Sequence, residues 1–134
     1  MRVIVTAAMF LCFFAYAGFA QEGLNQTSQE IADRIVDSDI PVVVDFWAFW
    51  CPACRALEAT LEDLKKEYRG RVNFVRVDID AHMDVARHFN VAALPTVFVI
   101  EGRTVRTSFQ GMRPRGDYAK AIEDALKLAA SKKR

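Results

Sequence analysis

The chain is sparing with glycine (6), proline (4) and cysteine (3) over its 134 residues. So few glycines and prolines exclude a collagen-like segment and a low-complexity tail. No stretch repeats another at a fixed period, which excludes a solenoid or propeller array. Neither sign of charge dominates: 18 basic and 17 acidic residues give a formal +1, so nothing electrostatic calls for a nucleic-acid partner. What is there is ordinary globular material, 52% hydrophobic and 26% charged. The length fits one domain and is too short for two sizeable cores.

The first twenty residues depart from that average. Arg2 precedes an apolar stretch from Val3 to Phe19, and small residues close it at Ala15-Tyr16-Ala17 and Gly18-Phe19-Ala20, before polar Gln21-Glu22. One positive charge, an apolar run and an A-x-A-like end describe a secretory signal peptide over 1–20, cleaved after Ala17 or Ala20. The alternative is an uncleaved membrane anchor, since the run sits at the lower edge of spanning length. Removal of 1–20 takes Arg2 and no acid, leaving a neutral domain over 21–134 that is expected to be periplasmic or secreted and monomeric.

Cys12 lies inside the apolar run and leaves with it; Met9-Phe10-Leu11 before it does not resemble a lipoprotein cleavage box. Cys51 and Cys54 remain. A pair three positions apart closes too small a loop to staple a scaffold, so it is expected to do chemistry.

Hydrophobic periodicity places the elements. Thr27-Ser28-Gln29-Glu30 has capping-box spacing, predicting a helix from about Ser28 to Asp37. Val42 to Trp47 is a continuous apolar run, the mark of a strand covered on both faces. Ala53 to Tyr68 reads as a helix with Leu57, Leu61, Leu64 and Tyr68 on one stripe, ended near Gly70. A strand over Val72 to Asp78 and a short helix from Asp84 to Phe89, capped near Asp84, follow. Thr96 to Ile100 and Val105 to Phe109 form a hairpin around Glu101-Gly102. A last helix runs from Pro114 to Ala130, before a basic Lys132-Lys133-Arg134 tail. The order α-β-α-β-α-β-β-α implies an α/β domain, a mixed sheet of about four or five strands between helices.

Cys51-Pro52-Ala53-Cys54 stands where the buried strand turns into the helix. Three positions are just under one helical turn, so both sulfurs can share a side and close a small disulfide. The first sulfur meets the unsatisfied N–H groups of the first turn, which stabilise a thiolate. Cys51 is therefore the expected nucleophile and Cys54, one turn deeper, the resolving thiol. Pro52 suits a first-turn position, where it has no N–H to lose. Two alternatives compete: a Cys2His2 zinc site completed by His82 and His88, whose spacing is far from the common patterns, and a purely structural disulfide. Both histidines read as polar surface, and no metal or other cofactor is expected beyond the redox disulfide itself.

These residues resemble the thioredoxin family. Val44 to Arg55, reading VDFWAFWCPACR, is similar to its active-site segment, and Leu94-Pro95-Thr96 to its cis-proline loop. The spacing from Cys51 to Pro95 matches the compact layout without the central insertion of cytochrome-maturation relatives. Gly102 and Gly111 fall where the family places its hairpin and groove glycines, and the resemblance runs from about Ser28 to Ala130. It implies a thioredoxin fold and thiol-disulfide oxidoreductase activity on protein disulfide or dithiol clients. Asp45 takes the place of the buried acid that assists proton transfer at the resolving thiol, its pKa raised by desolvation. Trp47 is expected in the core and Trp50 on the docking surface, with Leu94, Pro95, Thr96 and Gly111 lining the client groove.

Four departures stand out. Pro52-Ala53 replaces the Gly-Pro of thioredoxin and bears on redox potential. The helix lacks the family's kinking proline, and its Ala-Cys-Arg-x-x-Glu run, ending at Glu58, is similar to exported thioredoxin-like domains such as the C-terminal domain of the transmembrane thiol-disulfide transporter. Arg76 replaces a lysine, and either holds Asp45 ionised or points outward. Phe49 replaces a polar residue and either meets a partner or packs locally. The leading expectation is a periplasmic reductase fed by a membrane thiol-disulfide transporter. A binding or chaperone module with a static disulfide, and a disulfide oxidase or isomerase, are the alternatives.

Overall fold

A computed structural model describes residues 26–134; the expected signal peptide and its cleavage boundary lie outside the described residues. Four strands and four helices alternate in the order α1 (Gln26–Val36), β1 (Val42–Trp47), α2 (Pro52–Glu67), β2 (Asn73–Asp78), α3 (Met83–His88), β3 (Thr96–Glu101), β4 (Thr104–Gln110) and α4 (Arg115–Lys132). The sheet runs β2-β1-β3-β4, with β1 parallel to β2 and antiparallel to β3, and β3 antiparallel to β4. The mixed α/β sheet expected from the element order is therefore present, with four strands among the described residues.

The apolar run of β1, interrupted only by Asp45, is explained by its place. Hydrogen-bonded on both edges and covered on both faces, it has no solvent side to require alternation. Val43 joins Leu57, Leu61 and Leu64 of α2 and Tyr118 and Ile122 of α4 in one core. Val42, Val44 and Phe46 join Ile35 of α1 and Val85 of α3 in the other. Successive strand residues point to opposite faces, so Asp45, two positions from Val43, lies on the α2/α4 side.

Between β3 and β4, Gly102 and Arg103 both take left-handed φ, 56° and 66°, the pattern of a tight type I′ hairpin that matches strand twist. A Cβ on Gly102 would meet Lys132 Nζ at 2.9 Å. Tertiary contacts also correct three local readings. Thr27, expected to open a capping box, lies inside α1, as does Ser28; Ser28 is buried, its Oγ donates to Asp84 Oδ1 at 2.7 Å and lies 3.1 Å from His82 Nδ1, so it ties α1 to α3. Helix α3 begins at Met83 with His82 at its N-cap and no side-chain cap, so Asp84 is inside the helix. Lys132 is the last residue of α4 rather than a free tail, and its ammonium donates to both oxygens of buried Glu101.

Candidate active site

The site begins where β1 runs out. Cys51 is the N-cap of α2, with extended backbone (φ −93°, ψ 103°), and Pro52 occupies the first helical position. Cys54 N–H donates to Cys51 Sγ at 3.2 Å, so a helix-start donor addresses the sulfur. The two cysteines are joined as a disulfide with Cα atoms 5.3 Å apart. Their exposures differ: Cys51 keeps 5% and Cys54 none. Together with Ala48 they form a small apolar cluster against which Trp47, Ile79 and Leu94 pack.

A groove of about 510 Å³ opens beside Cys51, walled by Trp50, Ile79, Met83, Ala86, Val91 and Leu94. Trp50 stands on its rim, 63% exposed, and its Nε1–H donates to Asp80 Oδ2 at 2.9 Å. Asp80 is held in turn by its backbone N–H, which donates to Asp78 Oδ1 at 2.9 Å. Sequence reading missed Asp80, because nothing local marks an exposed loop acid as the partner of an indole thirty residues earlier. Phe49 is exposed at 72%, and the Arg55 guanidinium lies 5.9 Å from its ring centre.

The Leu94–Pro95 peptide is cis. Leu94 packs on the cysteine cluster, while Pro95 is buried and its C=O accepts the Gly111 N–H at 2.8 Å. Gly111 reaches that bond from a left-handed φ of 75°, which glycine adopts without cost. The Thr96 side chain is buried, and its Oγ1–H donates to Ala93 C=O at 2.7 Å, so its hydroxyl braces the loop from inside.

The acid lies on the face of the sheet that α2 covers. Asp45 is buried, and its register partner on β2 is Arg76, whose Nε–H donates to Asp45 Oδ2 at 3.0 Å. Arg76 therefore points inward, not to solvent. Its Nη1 donates to Glu58 Oε1 of α2 at 2.5 Å, and its Cζ lies 4.4 Å from the centre of the Trp47 ring. Asp45 Oδ1 and Arg76 Nη2 have no hydrogen-bond partner among the described residues. Burial pushes the Asp45 carboxyl up from 3.8 to about 6, against the pull of the Arg76 charge and hydrogen bond. The signal that could have found the Arg76 contact was the pairing of Val42-Val43-Val44 with Asn73-Phe74-Val75, which carries Arg76 to Asp45.

The histidines stand apart from this chemistry. His82 is half-buried and faces Ser28, not the polar surface expected for it, and His88 is exposed against the edge of Phe89. Among the described residues, no three His, Cys, Asp or Glu side chains gather as a metal site would need.

Residues 23–124 match the family model for thioredoxin. The chain is 34% identical to thioredoxin C-2 of Corynebacterium nephridii over 103 residues, covering 77% of this chain and 95% of that protein. It is 32% identical to chloroplastic thioredoxin M4 of Arabidopsis thaliana over 80% of this chain, and 41% identical to mitochondrial thioredoxin of Mus musculus over 66%. It spans about half the length of those two organellar relatives, 55% and 53%. With a disulfide at the start of α2, a cis-proline loop beside it and a family match over most of its length, the chain belongs to the thioredoxin family and is a thiol-disulfide oxidoreductase with Cys51 and Cys54 as its redox pair.

Proposed function

We propose that the chain is a disulfide reductase of the periplasm or another exported compartment, receiving electrons from a membrane thiol-disulfide transporter and delivering them to protein disulfides. The observation that carries this reading is the asymmetry of the pair: Cys51 borders an apolar groove, and Cys54 is sealed behind it above the Asp45 side of the sheet. In the reduced protein, the Cys51 thiolate attacks one sulfur of a client disulfide and expels the other as thiolate. A mixed disulfide results. Cys54 then loses its proton toward Asp45 and attacks Cys51 Sγ, which releases the second client sulfur as thiolate and leaves the Cys51–Cys54 disulfide. Two electrons have passed to the client.

Trp50, Leu94 and the backbone around Pro95 and Gly111 receive the client segment in this scheme, with Thr96 bracing the loop beneath. The apolar Leu94 before Pro95, and the short connection from Cys54 to Pro95 with no inserted helical domain, favour a reductase over an oxidase. Export is supported by Arg2, the apolar run Val3 to Phe19 and the small residues before Gln21.

The dithiothreitol-reduced protein is expected to reduce insulin, and Cys51→Ser to abolish the activity. Equilibration in glutathione buffers is expected to give a potential nearer about −270 mV than about −120 mV. An oxidising value would reverse the assigned direction. Fractionation of cells is expected to release the protein with the periplasm, its N-terminus near Gln21; a membrane-bound form starting at Met1 would mark an anchor.

A further inference from the structure

The Arg76 guanidinium is divided between two carboxylates. Its Nε–H serves Asp45 at 3.0 Å and its Nη1 serves Glu58 at 2.5 Å, with the Trp47 ring against its face. An arginine facing a single buried carboxylate ordinarily makes two parallel hydrogen bonds. Here it makes one, and both Asp45 Oδ1 and Arg76 Nη2 are left without partners among the described residues. Glu58 lies one helical turn beyond Cys54 and is half exposed, so it competes for the guanidinium from outside the core.

We infer that Glu58 is a positioning residue: by holding one arm of Arg76 it keeps Asp45 to a single hydrogen bond and leaves Oδ1 open as a proton acceptor for Cys54. The inference rests on the reading of Asp45 as that acceptor. Without Glu58, the guanidinium turns its fork onto Asp45 and binds the carboxylate at both oxygens, which makes Asp45 a weaker base. The Glu58 charge works in the same direction, favouring the protonated acid. Other polar groups around Asp45 are few. Glu62 and Lys65 of α2 line a cleft of about 190 Å³ that reaches Asp45 and Arg76, α4 brings Tyr118, and the β3 neighbour is apolar Val97.

Carbon-detected NMR titration of the Asp45 carboxyl in the full domain tests the inference directly. In Glu58→Gln its midpoint is expected to fall by about half a unit to one unit. In an Arg76→Met background the same change is expected to move it far less, since the arm that Glu58 holds is gone; Arg76→Lys, unable to fork between two carboxylates, serves as a second background. An unmoved midpoint in Glu58→Gln, or an equal shift in both backgrounds, would overturn the proposal. The acid limb of insulin reduction is expected to follow the NMR midpoint. A shifted midpoint with an unshifted activity profile supports the Glu58 link and counts instead against Asp45 as the acceptor.

Discussion

Asp45 on β1 and Arg76 on β2 are register partners across a parallel ladder, and one hydrogen bond of 3.0 Å joins them under the helix that carries both cysteines. The pairing leaves the acid protonated more readily than a free aspartate, because burial outweighs the single bond that Arg76 supplies.

The folded Asp45 titrates near 6 against an ordinary 3.8. Because the folded value is the higher, its protonated form contributes stability that is fully present below about 3.8 and is lost as pH rises through about 6. The difference corresponds to about 3 kcal/mol. Asp45→Asn preserves volume and removes the titration, so its advantage over wild type in urea unfolding is expected to grow between about pH 4 and 6 and then level off. Its turnover on insulin is expected to fall most near neutral pH. Lower stability together with unchanged turnover would remove Asp45 from the mechanism.

Limited alkylation of the reduced protein is expected to label Cys51 before Cys54, since Cys51 alone retains some exposure and accepts the Cys54 N–H. Cys54→Ser is expected to accumulate client adducts on Cys51 that dithiothreitol dissolves on non-reducing gels. Equal adduct levels in wild type would argue against Cys54 as the resolving thiol.

Trp50 is exposed yet fixed by one bond to Asp80. Asp80→Ala is expected to free the indole at a cost of about 1 kcal/mol in client docking, a several-fold drop in kcat/KM on insulin with the unfolding midpoint unchanged. Steady-state kinetics with Trp50 fluorescence anisotropy checks both halves. Unaltered kinetics with a mobile indole would show that the rim does not need to be held.

Buried Glu101 receives Lys132 and Arg106, and the Lys132 hydrogen bond is the first cause that holds its carboxyl below the ordinary 4.5. A depressed folded value contributes stability above about 4.5 that is lost as pH falls. Lys132→Ala is expected to cost about 1 kcal/mol at neutral pH, the open side of Lys132 limiting the loss. It is also expected to flatten the acid side of the stability profile. A variant with the wild-type acid profile would show that Arg106 alone supports Glu101.

The elements were legible because their signals are local. Val42 to Trp47 is apolar but for Asp45, and Leu57, Leu61 and Leu64 repeat at helical spacing, so one central strand and one amphipathic helix were written in the residues themselves. The cysteine pair was legible for the same reason, since its spacing, its place after a strand and Pro52 are all short-range. Thr27 misled because Thr-x-x-Glu has capping spacing whether or not the helix already includes the threonine, and here Thr27 and Ser28 both lie inside α1.

By itself the sequence determined the order of elements, the disulfide-forming pair at the start of α2 and the acid among apolar neighbours on β1, because each depends on residues within a few positions of one another. Which way Arg76 turned, that Glu58 would share its guanidinium, that Asp80 would hold Trp50 and that Lys132 would close over Glu101 were decided only by the tertiary structure. These contacts join residues 18 to 31 positions apart. They depend on strand register and on how helices settle over the sheet, which are set by the packing of the whole core and by no local pattern.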